Sequence, residues 1–113
     1  MTINNTYQKI YIAGKISGDN DYRAKFNQAK NKLKKLGYIV LNPAELPEGM
    51  KPADYMDICF SMIRCANVVA FLPEWEESRG ATLEHAYCAY IGKKTIYLEG
   101  GKRWSSKKLQ GWS

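Results

Sequence analysis

A chain of 113 residues is long enough for a single hydrophobic core and reads as one domain. Its 45% hydrophobic and 25% charged residues are those of a soluble globular protein, and no apolar run is long enough to span a membrane. The net charge of +6 raises nucleic-acid binding. Much of that charge, however, lies on one helical stretch (Lys25, Lys30, Lys32, Lys34, Lys35) and near the C-terminus (Lys102, Arg103, Lys107, Lys108), which reads as a solvated helix face and a soluble tail.

The opening MTINNTYQ has neither a basic nor an apolar signal-peptide region. Cys59, Cys65 and Cys88 fall in predicted helices among apolar residues, without Cys-x-x-Cys spacing. They read as buried thiols of a reducing, cytoplasmic compartment. With His85 as the lone histidine, no zinc site is expected, and no other metal or cofactor is called for.

Lys9 to Ala13, KIYIA, is the first predicted strand. Gly14-Lys15-Ile16-Ser17-Gly18 follows as a glycine-bounded loop, and a first helix runs from about Asp21 to Leu36. Its stripe is Tyr22, Phe26, Ala29, Leu33 and Leu36, with Gly37 to stop it. Tyr38 to Leu41 is the second strand, closed by Asn42-Pro43, and residues 44–51 form a loop. Pro52 suits the first turn of a second helix reaching about Cys65. Asn67 to Leu72 is the third strand, Gly80 to Gly92 the third helix, and Thr95 to Leu98 the fourth strand.

Strands alternating with helices imply an α/β fold. The expected form is a flavodoxin- or Rossmann-like three-layer sandwich, with about four parallel strands in the order 2-1-3-4 and helices on both faces. Ligands of such sheets bind outside the carboxyl ends of the strands. Three loops converge there: Gly14–Gly18, Asn42–Lys51 and Pro73–Gly80. Residues 9–99 make the domain, 1–8 an N-terminal extension, and 100–113 a basic, tryptophan-containing tail.

The stretch Pro73 to Gly92, PEWEESRGATLEHAYCAYIG, carries the chemistry. Ser78, Arg79 and Gly80 stand at a helix N-terminus, where free N–H groups and the positive dipole end favour a phosphate. Glu84 follows about one turn later, where the dipole favours its ionised, nucleophilic form. The plainer reading makes Ser78 an ordinary N-cap and Glu84 a solvated residue. The helix composition shifts that balance. Leu83, Ala86, Tyr87, Tyr90 and Ile91 make a core-facing stripe, and Glu84 lies on its edge, where a carboxylate points to a pocket or an interface. Tyr11, near the end of the first strand, is placed to reach Glu84, or else is a core tyrosine.

IYIAGKISG, NPAE and FLPEWEESRGATLEHAYCAYIGKK together resemble the nucleoside 2-deoxyribosyltransferase-like superfamily, in a compact, DUF4406-like branch. The resemblance spans roughly Lys9 to Leu98. It implies an N-glycosidase or deoxyribosyltransferase that cleaves the base–sugar bond, with Glu84 as nucleophile and Tyr11 positioning it. It also implies Ser78 and Gly80 on a 5′-phosphate, joined by Arg79, and the loop Gly14, Lys15, Ile16, Ser17 and Gly18 on substrate. The general acid of the pattern is an Asp on the second helix, about eight residues before the Asp that opens the third strand. Asn67 stands at the latter place and Cys59 at the former, a departure that leaves Asp57 as a substitute. The implied partners are a nucleoside or nucleotide and further copies of the chain, as a homodimer or larger homo-oligomer. Two other readings compete: a nucleotide-binding module without turnover, and a nucleic-acid-binding protein using the lysine-rich helix and tail.

Overall fold

The computed structural model describes residues 8–99. The extension up to Tyr7 and the expected tail, with Trp104 and Trp112, lie outside the described residues. In chain order the elements are β1 (Lys9–Ala13), α1 (Tyr22–Lys35), β2 (Ile39–Leu41), α2 (Pro52–Cys65), β3 (Val68–Phe71), α3 (Arg79–Ile91) and β4 (Lys94–Tyr97). Single 3-10 turns occupy Pro43–Glu45, inside the segment expected as a loop, and Trp75–Glu77. The four strands are parallel and ordered β2-β1-β3-β4, as the alternation of elements predicts.

Strand periodicity divides the interior into two layers. Ile10, Ile12, Val68 and Ala70 point to the α1 side, where Phe26, Ala29 and Leu33 meet them. Tyr11, Ala13, Val69 and Phe71 point to the other side, against Cys59 and Ile63 of α2 and Cys88 of α3. Fully burying a side chain such as Phe26 or Leu33 contributes about 1.5–3 kcal/mol. Leu36 departs from the expected stripe. It lies just past the last turn of α1 and is 61% exposed, and Gly37 follows in the left-handed region at φ 97°.

The larger correction concerns α3. Leu83 (55% exposed), Tyr90 (89%) and Ile91 face outward, and so does Ala86. The buried side is Ala81, Glu84 and Cys88. The sheet explains this choice: Tyr11, Phe71 and Tyr97 already fill much of the space under the helix, which leaves room for Ala81, Cys88 and the unbranched Glu84 but not for Leu83 or Tyr90. Cys65 is a second correction, because it is exposed at the end of α2 whereas Cys59 and Cys88 are buried. No helix among the described residues is long and apolar enough to cross a membrane.

The carboxyl ends of the strands carry the three expected loops, and short contacts tie them together. Lys15 Nζ lies 3.1 Å from Glu77 Oε1, joining the loop after β1 to the turn before α3. Arg23 and Tyr22 of α1 both donate to Glu48, in the loop before α2. Gly14 passes so close to Leu72 and Phe26 that an added Cβ would stand 3.0–3.1 Å from their side chains. Gly18 takes φ 82°, which suits glycine at the end of the same loop.

Candidate active site

α3 begins where the Ser78 hydroxyl accepts the Ala81 N–H at 3.1 Å, an ordinary N-cap. The cap fixes where the helix starts, and packing against the sheet turns Glu84 inward. The Glu84 carboxylate, 5% exposed, accepts the Tyr11 hydroxyl at 2.7 Å. Tyr11 is itself 1% exposed and projects from β1, between β2 and β3. The Cys59 thiol of α2 completes the group, donating to Glu84 and standing beside Tyr11. Three elements thus converge on one buried carboxylate.

Burial decides the protonation of this group. It pushes Glu84 up to about 7, although hydrogen bonds from Tyr11 and Cys59 pull the other way. The helix dipole, which favours ionisation, falls off within the first turn and is outweighed at this depth. Glu84 therefore sits near half-ionised at neutral pH instead of fully ionised as its sequence position suggests. Burial, with the neighbouring Glu84 and Cys59, raises Tyr11 well above its ordinary value of 10.0. Burial likewise lifts Cys59 to about 11 and Cys88 to about 12. All three stay protonated at neutral pH, and Tyr11 and Cys59 serve as neutral donors to Glu84.

The other expected site residues sit around this centre in different ways. Ser78 is half-buried at the helix mouth and Arg79 is exposed there, in no ion pair among the described residues. Gly80 faces α2: a Cβ on it would stand 3.4 Å from the Met56 methyl, an ordinary contact. Lys15 is engaged with Glu77, Ile16 packs on the α1-side core, and Ser17 is exposed. Asp57 is exposed. It lies roughly 200° around α2 from Cys59, and Cys59 is the α2 side chain that reaches Glu84.

A ring cluster unanticipated in the sequence braces the turn before α3. Trp75 stacks on His85 with centroids 4.1 Å apart, His85 meets Phe71 edge-on at 4.9 Å, and His85 Nε2 lies 2.8 Å from the Tyr97 hydroxyl. Burial lowers the His85 pKa below its ordinary 6.5, so the imidazole is neutral at pH 7. The signal was present as an aromatic in the loop and a histidine one turn into the helix, but their pairing depends on how far the 3-10 turn folds back. Among the described residues, no group of three or more His, Cys, Asp or Glu is gathered to hold a metal.

The sequence profile of the family described as Domain of unknown function (DUF4406) matches residues 8–97. The chain belongs to the DUF4406 family. Two solved structures share the fold of this DUF4406 chain. The 2-deoxyribosyltransferase of Bacillus psychrosaccharolyticus is 18% identical with a TM-score of 0.67, over 92% of this chain and 81% of that one. The 2-deoxyribosyltransferase of Leishmania mexicana is 21% identical with a TM-score of 0.65, over 80% of this chain and 63% of that one. No curated protein sequence matches the chain. At these identities the likeness is one of fold, so activity has to be argued from the Glu84 site itself.

Proposed function

We propose that this DUF4406 protein cleaves the base–sugar bond of a nucleoside or nucleotide, by hydrolysis or by transfer to a second base, with Glu84 as nucleophile. The observation that carries the reading is the buried Glu84 carboxylate held by the Tyr11 hydroxyl at 2.7 Å. It lies beneath a helix N-terminus in a fold shared with 2-deoxyribosyltransferases. A carboxylate pre-oriented by two neutral donors and kept from water is suited to attack C1′ and form a glycosyl ester. The exposed Arg79 and the free N–H groups of the first turn of α3 would meet a 5′-phosphate, as would the Ser78 hydroxyl, which caps the helix as acceptor and keeps its own proton to donate. The loop from Gly14 to Gly18 would close over the sugar.

A binding module without turnover is the second reading, favoured by the exposed position of Asp57 away from Glu84. The partners proposed are a small nucleoside or nucleotide and a second copy of the chain seated on the outward face of α3, where Leu83, Tyr90 and Ile91 are exposed. The deciding experiment incubates the protein and its Glu84→Ala variant with deoxyribo- and ribonucleosides and their 5′-monophosphates, and separates products by chromatography. Free base from the wild type alone supports the enzyme. Tight binding with no base released from any nucleoside or nucleotide, whether its base is neutral or positively charged, replaces it with the binding module.

A further inference from the structure

The side chains that surround Glu84 come from three elements: Tyr11 of β1, Cys59 of α2 and Cys88 one turn further along α3. They are one phenol and two thiols, acids far weaker than a carboxylic acid. The carboxyl groups of the neighbouring segments are occupied or turned away. Asp54 accepts the Lys51 N–H at the start of α2, Glu77 pairs with Lys15, Glu74 lies 3.9 Å from Lys25, and Asp57 and Glu76 are exposed to solvent. His85, next to Glu84 in sequence, is directed into the rings of Phe71, Trp75 and Tyr97. Glu84 cannot fill the gap, because the attacking form is the ionised one. Among the described residues, then, the site holds a nucleophile and its positioning donors but no acid fit to protonate a departing base.

A neutral nucleoside needs such an acid, since its base otherwise leaves as an anion, and a placed general acid is worth about 10²–10⁴-fold. An N-glycoside whose ring is already cationic does not need one. We infer that the substrate of this site is a nucleoside or nucleotide with a positively charged base, of the pyridinium or N7-alkylpurinium class, whose base leaves as a neutral molecule without protonation. The inference rests on the N-glycosidase reading above. In the first step a Glu84 oxygen bonds to C1′ as the C1′–N bond breaks, and the electron pair of that bond cancels the ring charge. No proton moves. In the second step water bonds to C1′, the C1′–O ester bond breaks, the Glu84 carboxylate returns and one proton passes to solvent. A cationic ring beside Glu84 also favours the ionised carboxylate that the first step requires.

The test compares nicotinamide and 7-methylguanine N-glycosides with those of guanine and adenine. Each is used in ribo and 2′-deoxyribo form, with and without a 5′-phosphate, and each rate of base release is divided by the uncatalysed rate under the same conditions. Because the uncatalysed reaction also lacks a placed acid, the expected result is an acceleration of the neutral substrates no greater than that of the cationic ones, where a placed acid would make it about 100-fold greater or more. In Cys59→Asp, which puts a carboxyl group beside Glu84, the acceleration of the neutral substrates should rise at least about tenfold relative to that of the cationic ones. If Cys59→Asp does not fold, the wild-type ratio decides alone. An acceleration of the neutral substrates about 100-fold or more above that of the cationic ones overturns this inference and leaves the glycosidase reading standing. Base release from none of them overturns the glycosidase reading and this inference with it.

Discussion

Glu84→Gln isolates the energetic consequence of burying a carboxyl group, whatever the protein's substrate. In the folded chain Glu84 titrates at about 7, against an ordinary value of 4.5. The difference of 2.5 units corresponds to about 3 kcal/mol at 1.36 kcal/mol per unit. The sign follows from proton binding. Between the two values the folded state holds a proton that the unfolded state has lost, so stability falls as pH rises. The contribution is fully present below the unfolded value and lost once pH has passed through the folded one. Glutamine is nearly isosteric and never ionises. Urea unfolding of wild type and Glu84→Gln at pH 4, 5, 6, 7 and 8 gives the difference in stability at each pH. That difference cancels Asp19, Glu48 and His85, whose lowered values all act in the direction opposite to Glu84. Relative to wild type, the variant should gain about 3 kcal/mol between pH 4 and pH 8, with most of the change between pH 5 and pH 7. A difference that stays flat with pH would show that Glu84 is well solvated, and would refute both its burial and the argument for a desolvated nucleophile.

Tyr11→Phe removes a donor that holds Glu84 down, so the acidic limb of kcat/KM for base release should move up by about one pH unit. An unmoved limb would show that the Tyr11 hydroxyl does not set the ionisation of Glu84. Gly14→Ala forces a methyl against Leu72 and Phe26 and should cost about 1–3 kcal/mol by denaturant unfolding. Ser78→Ala loses the cap on the Ala81 N–H and should cost about 1 kcal/mol by the same measurement. If the hydroxyl also meets a phosphate, that variant should raise KM for 5′-monophosphates more than for nucleosides.

Much of the fold is legible because it is local. The alternation in KIYIA, the helical spacing of Phe26, Ala29 and Leu33, and punctuation by Pro52 and Gly92 each act over a few residues, and the structure follows them closely. The strand order also follows, since right-handed crossovers leave few ways to arrange four parallel strands. Reading the inward side of α3 from its larger apolar residues misleads, because hydrophobicity alone does not measure the space available. Tyr11, Phe71 and Tyr97 approach from the sheet, so Ala81, Glu84 and Cys88 turn inward and Tyr90 turns out.

The site divides along the same line. Sequence by itself places Glu84 shortly after a capped helix start and Tyr11 inside a strand near its carboxyl end, because capping and strand alternation are short-range effects. Their contact joins residues separated by 73 positions, and Cys59 enters from a third element. Only tertiary packing decides that these three groups share one dry space. The same packing sets the protonation of Glu84, since desolvation depends on everything that closes around a group and not on its neighbours in the chain.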